Sequence, residues 1–183
     1  MQNLKFRLAE KKDITELVFI INRAYREEVE QSWSNETKYV TGARIDEAQL
    51  LTLINLHHDP KIPSQLLVVE LSDHISFHII GCVAIDYVDD TAEINTFCIA
   101  PEWQNAGYGK KVLSAAELYV RKTVHKIRKY SMWVLNVRQE LIQYYERRGY
   151  QLTQEVADYP VDANVGQPLQ ALHLVRLIKN IDL

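Results

Sequence analysis

Six residues, Gln104-Asn105-Ala106-Gly107-Tyr108-Gly109, with Lys110 and Lys111 directly behind them, carry the clearest chemistry in this chain. Glycines let a backbone come close to a ligand because no Cβ intervenes. Where such a loop runs into a helix, the first amides of the helix have no intrahelical acceptor, and the macrodipole adds partial positive charge. That arrangement suits a phosphate or a pyrophosphate. The dinucleotide fingerprint does not describe it, because Val112 stands where a third glycine is needed. A P-loop is also excluded, since Gly109-Lys110-Lys111 lacks both the spacing and the hydroxyl. On the loop alone, a helix start with convenient glycines explains the same residues.

Other reactive groups are weaker signals. Cys82 and Cys98 both fall in expected strands and read as reduced core thiols rather than a disulfide. His57-His58-Asp59, with His74 and His78, lack ligand spacing, so no metal site is expected. The basic run Arg121 to Lys129 follows the helix that begins at the glycine loop and is expected to cap and solvate its end. Glu27, Glu28 and Glu30 cluster near Trp33, Glu36 and Tyr39. Acidic and aromatic groups together suit a cationic amine, although a solvated helix end explains them equally well.

These groups need elements to hold them. Leu4 to Leu8 reads as a strand; Asp13 with Glu16 reads as a capping box for a helix with Leu17, Ile20, Ile21 and Ala24 on its apolar stripe. Residues 31–44 have weak periodicity. Asp46 with Gln49 caps a second helix, with Ile45 and Leu50 as its staple and Leu50, Leu53, Ile54 and His57 on one face. After Pro60 and Pro63 come strands at Leu66 to Leu71, at Phe77 to Val88 with a bulge near Gly81, and at Thr91 to Ile99. A helix from Gly107 to Thr123 follows, then a strand from Met132 to Val137 and a helix from Gln139 to Arg148 capped by Gly149. Strands near Tyr150 to Val156 and Leu172 to Leu177 complete the order β-α-α-β-β-β-α-β-α-β-β. That order predicts an α/β fold with a mixed, mainly antiparallel sheet flanked by helices. Strand alternation places Glu93, Asn95, Phe97 and Ile99 on one face. Helical spacing puts Leu141, Ile142, Tyr145 and Arg148 on the inward stripe and turns Tyr144 aside.

The bulk properties fit one domain of 183 residues, 47% hydrophobic and 25% charged. A net charge of −3 argues against a nucleic-acid binder. No apolar stretch is long enough to span a bilayer, and charges interrupt the N-terminus before any signal sequence forms, so a cytoplasmic protein without a membrane partner is expected. A homodimer is left open.

Gln104-x-x-Gly107-x-Gly109, after a strand ending Ile99-Ala100-Pro101, resembles the acetyl-CoA motif of the GNAT superfamily of N-acetyltransferases. Glu93-Ile94 resembles that superfamily's catalytic strand, and Tyr144-Tyr145-Glu146-Arg147-Arg148-Gly149-Tyr150 its second conserved block. The resemblance implies a GNAT-like fold and acetyl-CoA as co-substrate. The loop 104–110 would grip the pyrophosphate, and the backbone of Phe97, Cys98 and Ile99 would pair with pantetheine. Asn136 would add a hydrogen bond to the same arm. It also implies Glu93 as general base and Tyr145 as general acid for transfer of acetyl to a primary amine of a small molecule or peptide, by direct attack in a ternary complex. A CoA-binding sensor without catalysis, and transfer of a longer acyl group, are the competing readings.

Overall fold

Helix α1 (Ile14–Arg26) buries Leu17, Ile20, Ile21 and Ala24, the stripe its spacing predicts. Full burial of an aliphatic side chain of this size contributes roughly 1.5–3 kcal/mol. These positions belong to the computed structural model of the chain, which describes residues 3–28, 32–56, 64–72 and 76–181. The helix does not begin as expected. A short 3₁₀ turn, Lys11–Asp13, precedes it, and the Asp13 carboxylate reaches back to the Glu10 amide (2.8 Å) and to Arg7 of β1 (Asn3–Leu8), at 2.6 and 2.8 Å. The reciprocal cap therefore lies one turn earlier than Asp13–Glu16.

Helix α2 (Glu47–Leu56) starts as read. The Asp46 carboxylate accepts from the Gln49 amide and the Gln49 side chain accepts from the Asp46 amide, both at 2.8 Å. Ile45 and Leu50 are both buried under this start. His57, at the end of its expected stripe, lies outside the described residues, as do His58, Asp59 and His74.

The remaining elements are β2 (Val40–Thr41), β3 (Ser64–Ser72), β4 (Phe77–Val88), β5 (Thr91–Ile99), α3 (Tyr108–Thr123), β6 (Lys129–Leu135), α4 (Gln139–Glu146), β7 (Gln151–Asp158), β8 (Gln167–Pro168) and β9 (His173–Asn180). Their order is the expected one with a two-residue β2–β8 pair added. Seven strands form one sheet in the order β1-β3-β4-β5-β6-β9-β7. Every pairing in it is antiparallel except β5 with β6, which is parallel and short: Thr91 to Glu93 face Lys129 to Ser131, and no further rungs follow. Beyond Glu93 the two strands part.

Helices α1 and α2 cover one face of the sheet, packing on Leu66, Val68, Cys82, Ala84 and Cys98. Helices α3 and α4 cover the other, packing on Val83, Ile85, Ala92, Ile94, Met132 and Val134. Two irregularities shape the middle of the sheet. Beside Gly81 the β3–β4 register slips by one residue, and a Cβ on Gly81 would stand 2.1 Å from the Cys98 carbonyl oxygen. In β5, Thr96 takes φ +42, and the register shifts between Cys82↔Cys98 and Ala84↔Asn95. This bulge adds one residue to β5, and an added residue exchanges the faces of everything beyond it.

That exchange corrects the strand alternation. Phe97 and Ile99 pack on the α3 side, whereas Asn95 reaches Asp86 at 2.6 Å, and Glu93, paired across from Asp86, lies on the α1–α2 side. The four residues do not share a face.

Candidate active site

The parting of β5 from β6 leaves the edge of β5 unpaired from Ile94 onward, and the chain spends that edge on a cleft. The Ala100 N–H bonds Ile80 O on β4 at 2.8 Å. In an antiparallel ladder this turns the peptide groups of Ile99, and of Phe97 two residues before it, away from β4 and into the gap. Two side chains meet them there. The Tyr25 hydroxyl donates to Phe97 O at 2.9 Å, and Gln104 Nε2 donates to Ile99 O at 2.7 Å. The amides of Phe97 and Ile99 are then the donors that face the gap. Cys98, between them, points its peptide groups to β4 and its thiol into the core, 3.6 Å from that of Cys82; both thiols are free and buried. The hydrogen bond with the Cys98 thiol, and then burial, push the Cys82 thiol well above the usual range.

The cleft measures about 360 Å³ and runs from Phe97, Cys98 and Ile99 to the glycine loop, with α1 and α4 as its walls. Gln104, Asn105, Gly107, Gly109 and Lys110 line the loop end. Both glycines have a local reason. Gly107 caps α3 at φ +79, a left-handed conformation costly to residues with a Cβ. A Cβ on Gly109 would come within 3.1 Å of the Tyr144 hydroxyl. The first-turn amides of α3 lack intrahelical acceptors, and Lys110 stands among them. Two cations, Lys110 and Arg148, and no carboxylate occur among the described lining residues, which fits an anionic ligand.

Not every loop residue takes part. Ala106 is exposed at the turn, and the Tyr108 ring is turned into the core against Trp103. Lys111 lies over the Tyr108 ring at 5.3 Å rather than in the cleft. Gln104 lines the cleft, but its side chain ties Ile99 O to the Trp33 amide (2.5 Å). Asn136 falls outside the lining: its side-chain oxygen accepts from the His173 amide at 3.2 Å, where β6 meets β9.

From α4 the cleft receives Leu141, Tyr144, Tyr145 and Arg148. Tyr145 is buried, and burial pushes its phenol well above the usual tyrosine range. Tyr144, which helical spacing turned aside, is in the cleft as well. Helix α4 ends at Glu146, two residues earlier than expected, and Arg148 folds back, donating to Tyr144 O at 2.6 Å with its guanidinium 3.3 Å from the Tyr144 ring centre. Gly149, at φ +88, is the expected left-handed cap. Trp33 closes the row from the α1 side, 5.4 Å from Tyr144. The Tyr25 position is legible as Ile21 plus four, one step past the apolar stripe; Trp33 and Ser34 have no periodic signal.

Glu93 lies outside the cleft lining, at the point where β5 and β6 part. Its carboxylate accepts from Trp133 Nε1 at 3.1 Å, and burial raises its pKa. The acid–aromatic cluster is split: Glu27 and Glu28 are exposed, Glu36 is paired with Arg26 at 2.6 Å, and Glu30 lies outside the described residues. Among the described residues no group of three or more His, Cys, Asp or Glu is placed to hold a metal ion. His78 bonds Ser76 at 2.8 Å. No described helix is long and apolar enough to cross a membrane.

Residues 63–152 match the family model of the Acetyltransferase (GNAT) domain. No curated protein matches the chain. Among solved structures, a spermidine N-acetyltransferase from Vibrio cholerae, in complex with CoA and spermine, is 21% identical with a TM-score of 0.67, covering 97% of this chain and 95% of that one. A GNAT family acetyltransferase from Elizabethkingia anophelis with acetyl-CoA bound is 14% identical, with a TM-score of 0.61 over 98% and 99% of the two chains. One from Streptococcus pneumoniae is 16% identical, with a TM-score of 0.66 over 98% and 100%. At these identities the likeness carries the fold.

Proposed function

Because this chain is a member of the GNAT acetyltransferase family and an acyltransferase, we propose that it transfers the acetyl group of acetyl-CoA to a primary amine, by direct attack while both substrates are bound. The observation that carries the reading is the cleft itself. A strand edge with donor amides, a helix start with Lys110 and a buried phenol converge on one space of about 360 Å³. The first-turn amides of α3 and Lys110 hold the pyrophosphate, as a helix N-terminus does for anions. Gly109 keeps the backbone open for it. The N–H groups of Phe97 and Ile99 face the arm and the thioester carbonyl; a fixed donor on a developing oxyanion contributes on the order of 3 kcal/mol.

An alkylammonium must lose a proton before its nitrogen can attack, and the departing thiolate must gain one. Tyr145 lines the cleft and burial keeps its phenol protonated, so it donates a hydrogen bond to the departing sulfur and passes the second proton along that bond as thiolate charge develops. Glu93 takes the first through water, from the α1–α2 face of the sheet, where it lies across from Asp86 and accepts from Trp133. Burial raises its pKa toward that task. The acceptor then approaches from the face opposite the glycine loop. The spermidine enzyme of similar fold supports an amine acceptor, which here is a small molecule or peptide.

Calorimetric titration with acetyl-CoA, followed by free-thiol release over a panel of primary amines, tests this. Micromolar binding and amine-dependent thiol release are expected. Binding without turnover on any amine would leave a coenzyme A sensor, and no binding at millimolar acetyl-CoA would end both readings.

A further inference from the structure

Three segments far apart in sequence converge on the turn at residues 32–36. From α1, Ala24 O accepts from Ser32 Oγ and Ser34 Oγ at 2.8 and 3.0 Å, and Tyr25 O accepts from the Glu36 amide at 2.9 Å. From the glycine loop, Gln104 takes the Trp33 amide. From the start of α4 comes Arg138. Its Nη2 donates to Trp33 O at 2.5 Å, and its Nη1 to Asn35 O and Ser34 O at 2.9 and 3.3 Å, while Nε donates to Glu140.

Arg138 is only 3% exposed. A guanidinium taken that deep is costly unless its donors are answered. Capping α4 does not require it, since a small hydroxyl or carboxylate serves that purpose without a buried charge. Its fork is used instead on three consecutive carbonyls of a turn. The consequence falls on Trp33, which is 42% exposed, has no core position and nonetheless stands at 5.4 Å from Tyr144 across the cleft.

We propose that Arg138 is a positioning residue for the co-substrate: by gathering the carbonyls of Trp33, Ser34 and Asn35 it holds Trp33 against Tyr144 as a fixed wall, and so sets how tightly an acyl-CoA arm is retained. The inference rests on the reading of the cleft as the acyl-CoA site. Arg138 is not among the described lining residues and acts through Trp33. Lysine cannot substitute, because a point charge on a flexible stem cannot address three carbonyls in a plane.

The test compares Arg138→Lys, Trp33→Ala and the double variant by titration with coenzyme A. Each single change should weaken binding by about tenfold, the size of one well-formed aromatic contact, and in Arg138→Lys the loss should fall on KM for acetyl-CoA more than on kcat. The double variant should bind no worse than the weaker single, because both remove the same wall. Amide exchange on the unliganded protein supplies a readout without ligand: Arg138→Lys should expose the amides of Trp33, Glu36, Tyr39 and Val40 while β4 and α3 stay protected. Additive losses in the double variant, wild-type affinity in Trp33→Ala, or unchanged exchange at residues 33–40 would overturn the proposal. If wild type itself ignores coenzyme A, the function reading and the proposed ligand fall, and exchange alone still decides whether Arg138 clamps the turn.

Discussion

Tyr145 and Glu93 occupy different surroundings, and each surrounding predicts a different kinetic signature. The Tyr145 phenol is buried in the cleft wall and held above its usual pKa. Tyr145→Phe should therefore lower kcat by about 100-fold, the lower range for a lost general acid, with acetyl-CoA affinity nearly unchanged. Undiminished turnover would remove Tyr145 from the mechanism. Glu93 carries a pKa raised by burial, and a base works only when deprotonated. Wild-type kcat/KM should rise with pH through a point above the ordinary glutamate value of ~4.3, whereas in Glu93→Gln the rise should move toward the amine's own pKa of ~10. Coincident profiles would place the base elsewhere. The motif made both residues visible in the sequence. Tyr144 enters the cleft as well because it stands at Leu141 plus three within α4, so the face turned to the cleft is Leu141, Tyr144, Tyr145 and Arg148, one position round from the stripe through Ile142.

At the scale of elements, the two unusual glycines separate crowding from backbone strain. Gly81 has no left-handed φ, but a Cβ there would stand 2.1 Å from the Cys98 carbonyl oxygen. The atom an added methyl would strike is backbone and cannot swing aside, so Gly81→Ala should cost more than about 3 kcal/mol or abolish folding. Gly107 is the converse, with φ +79 and open space around its Cβ position. Gly107→Ala should cost only about 1–2 kcal/mol and lower Tm by a few degrees. Thermal melts of the two proteins compare them directly, and equal losses would contradict the distinction. The bulge at Thr96 belongs to the same scale. Nothing in Asn95-Thr96-Phe97 signals an extra residue, because no glycine marks it, and Thr96 accepts φ +42 only where the sheet requires it.

For the whole molecule, the N-terminal strand is tied to the rest through charge. Arg7 bonds Asp13 twice and Glu70 once, joining β1, the start of α1 and β3. Burial pushes the Asp13 carboxyl up, but the Arg7 guanidinium and the Glu10 amide outweigh it and hold the pKa below the usual carboxylate range. A depressed folded pKa contributes stability above the unfolded value of ~3.9, and that stability is lost as pH falls through the folded value. Asp13→Asn should accordingly melt lower than wild type at neutral pH and lose less of its Tm on acidification; parallel losses would assign the acid sensitivity to other groups. The sequence by itself determined the element order, the buried stripe of α1, the Asp46–Gln49 cap and the glycine loop, because each is written in spacing or cap chemistry over a few neighbouring residues. Only the tertiary structure decided that β5 leaves β6 after Glu93, that Glu93 and Phe97 face opposite ways, and that Arg138 meets residues 33–35. Those outcomes depend on which strand lies beside which, on one added residue in a register, and on contacts between segments about a hundred residues apart.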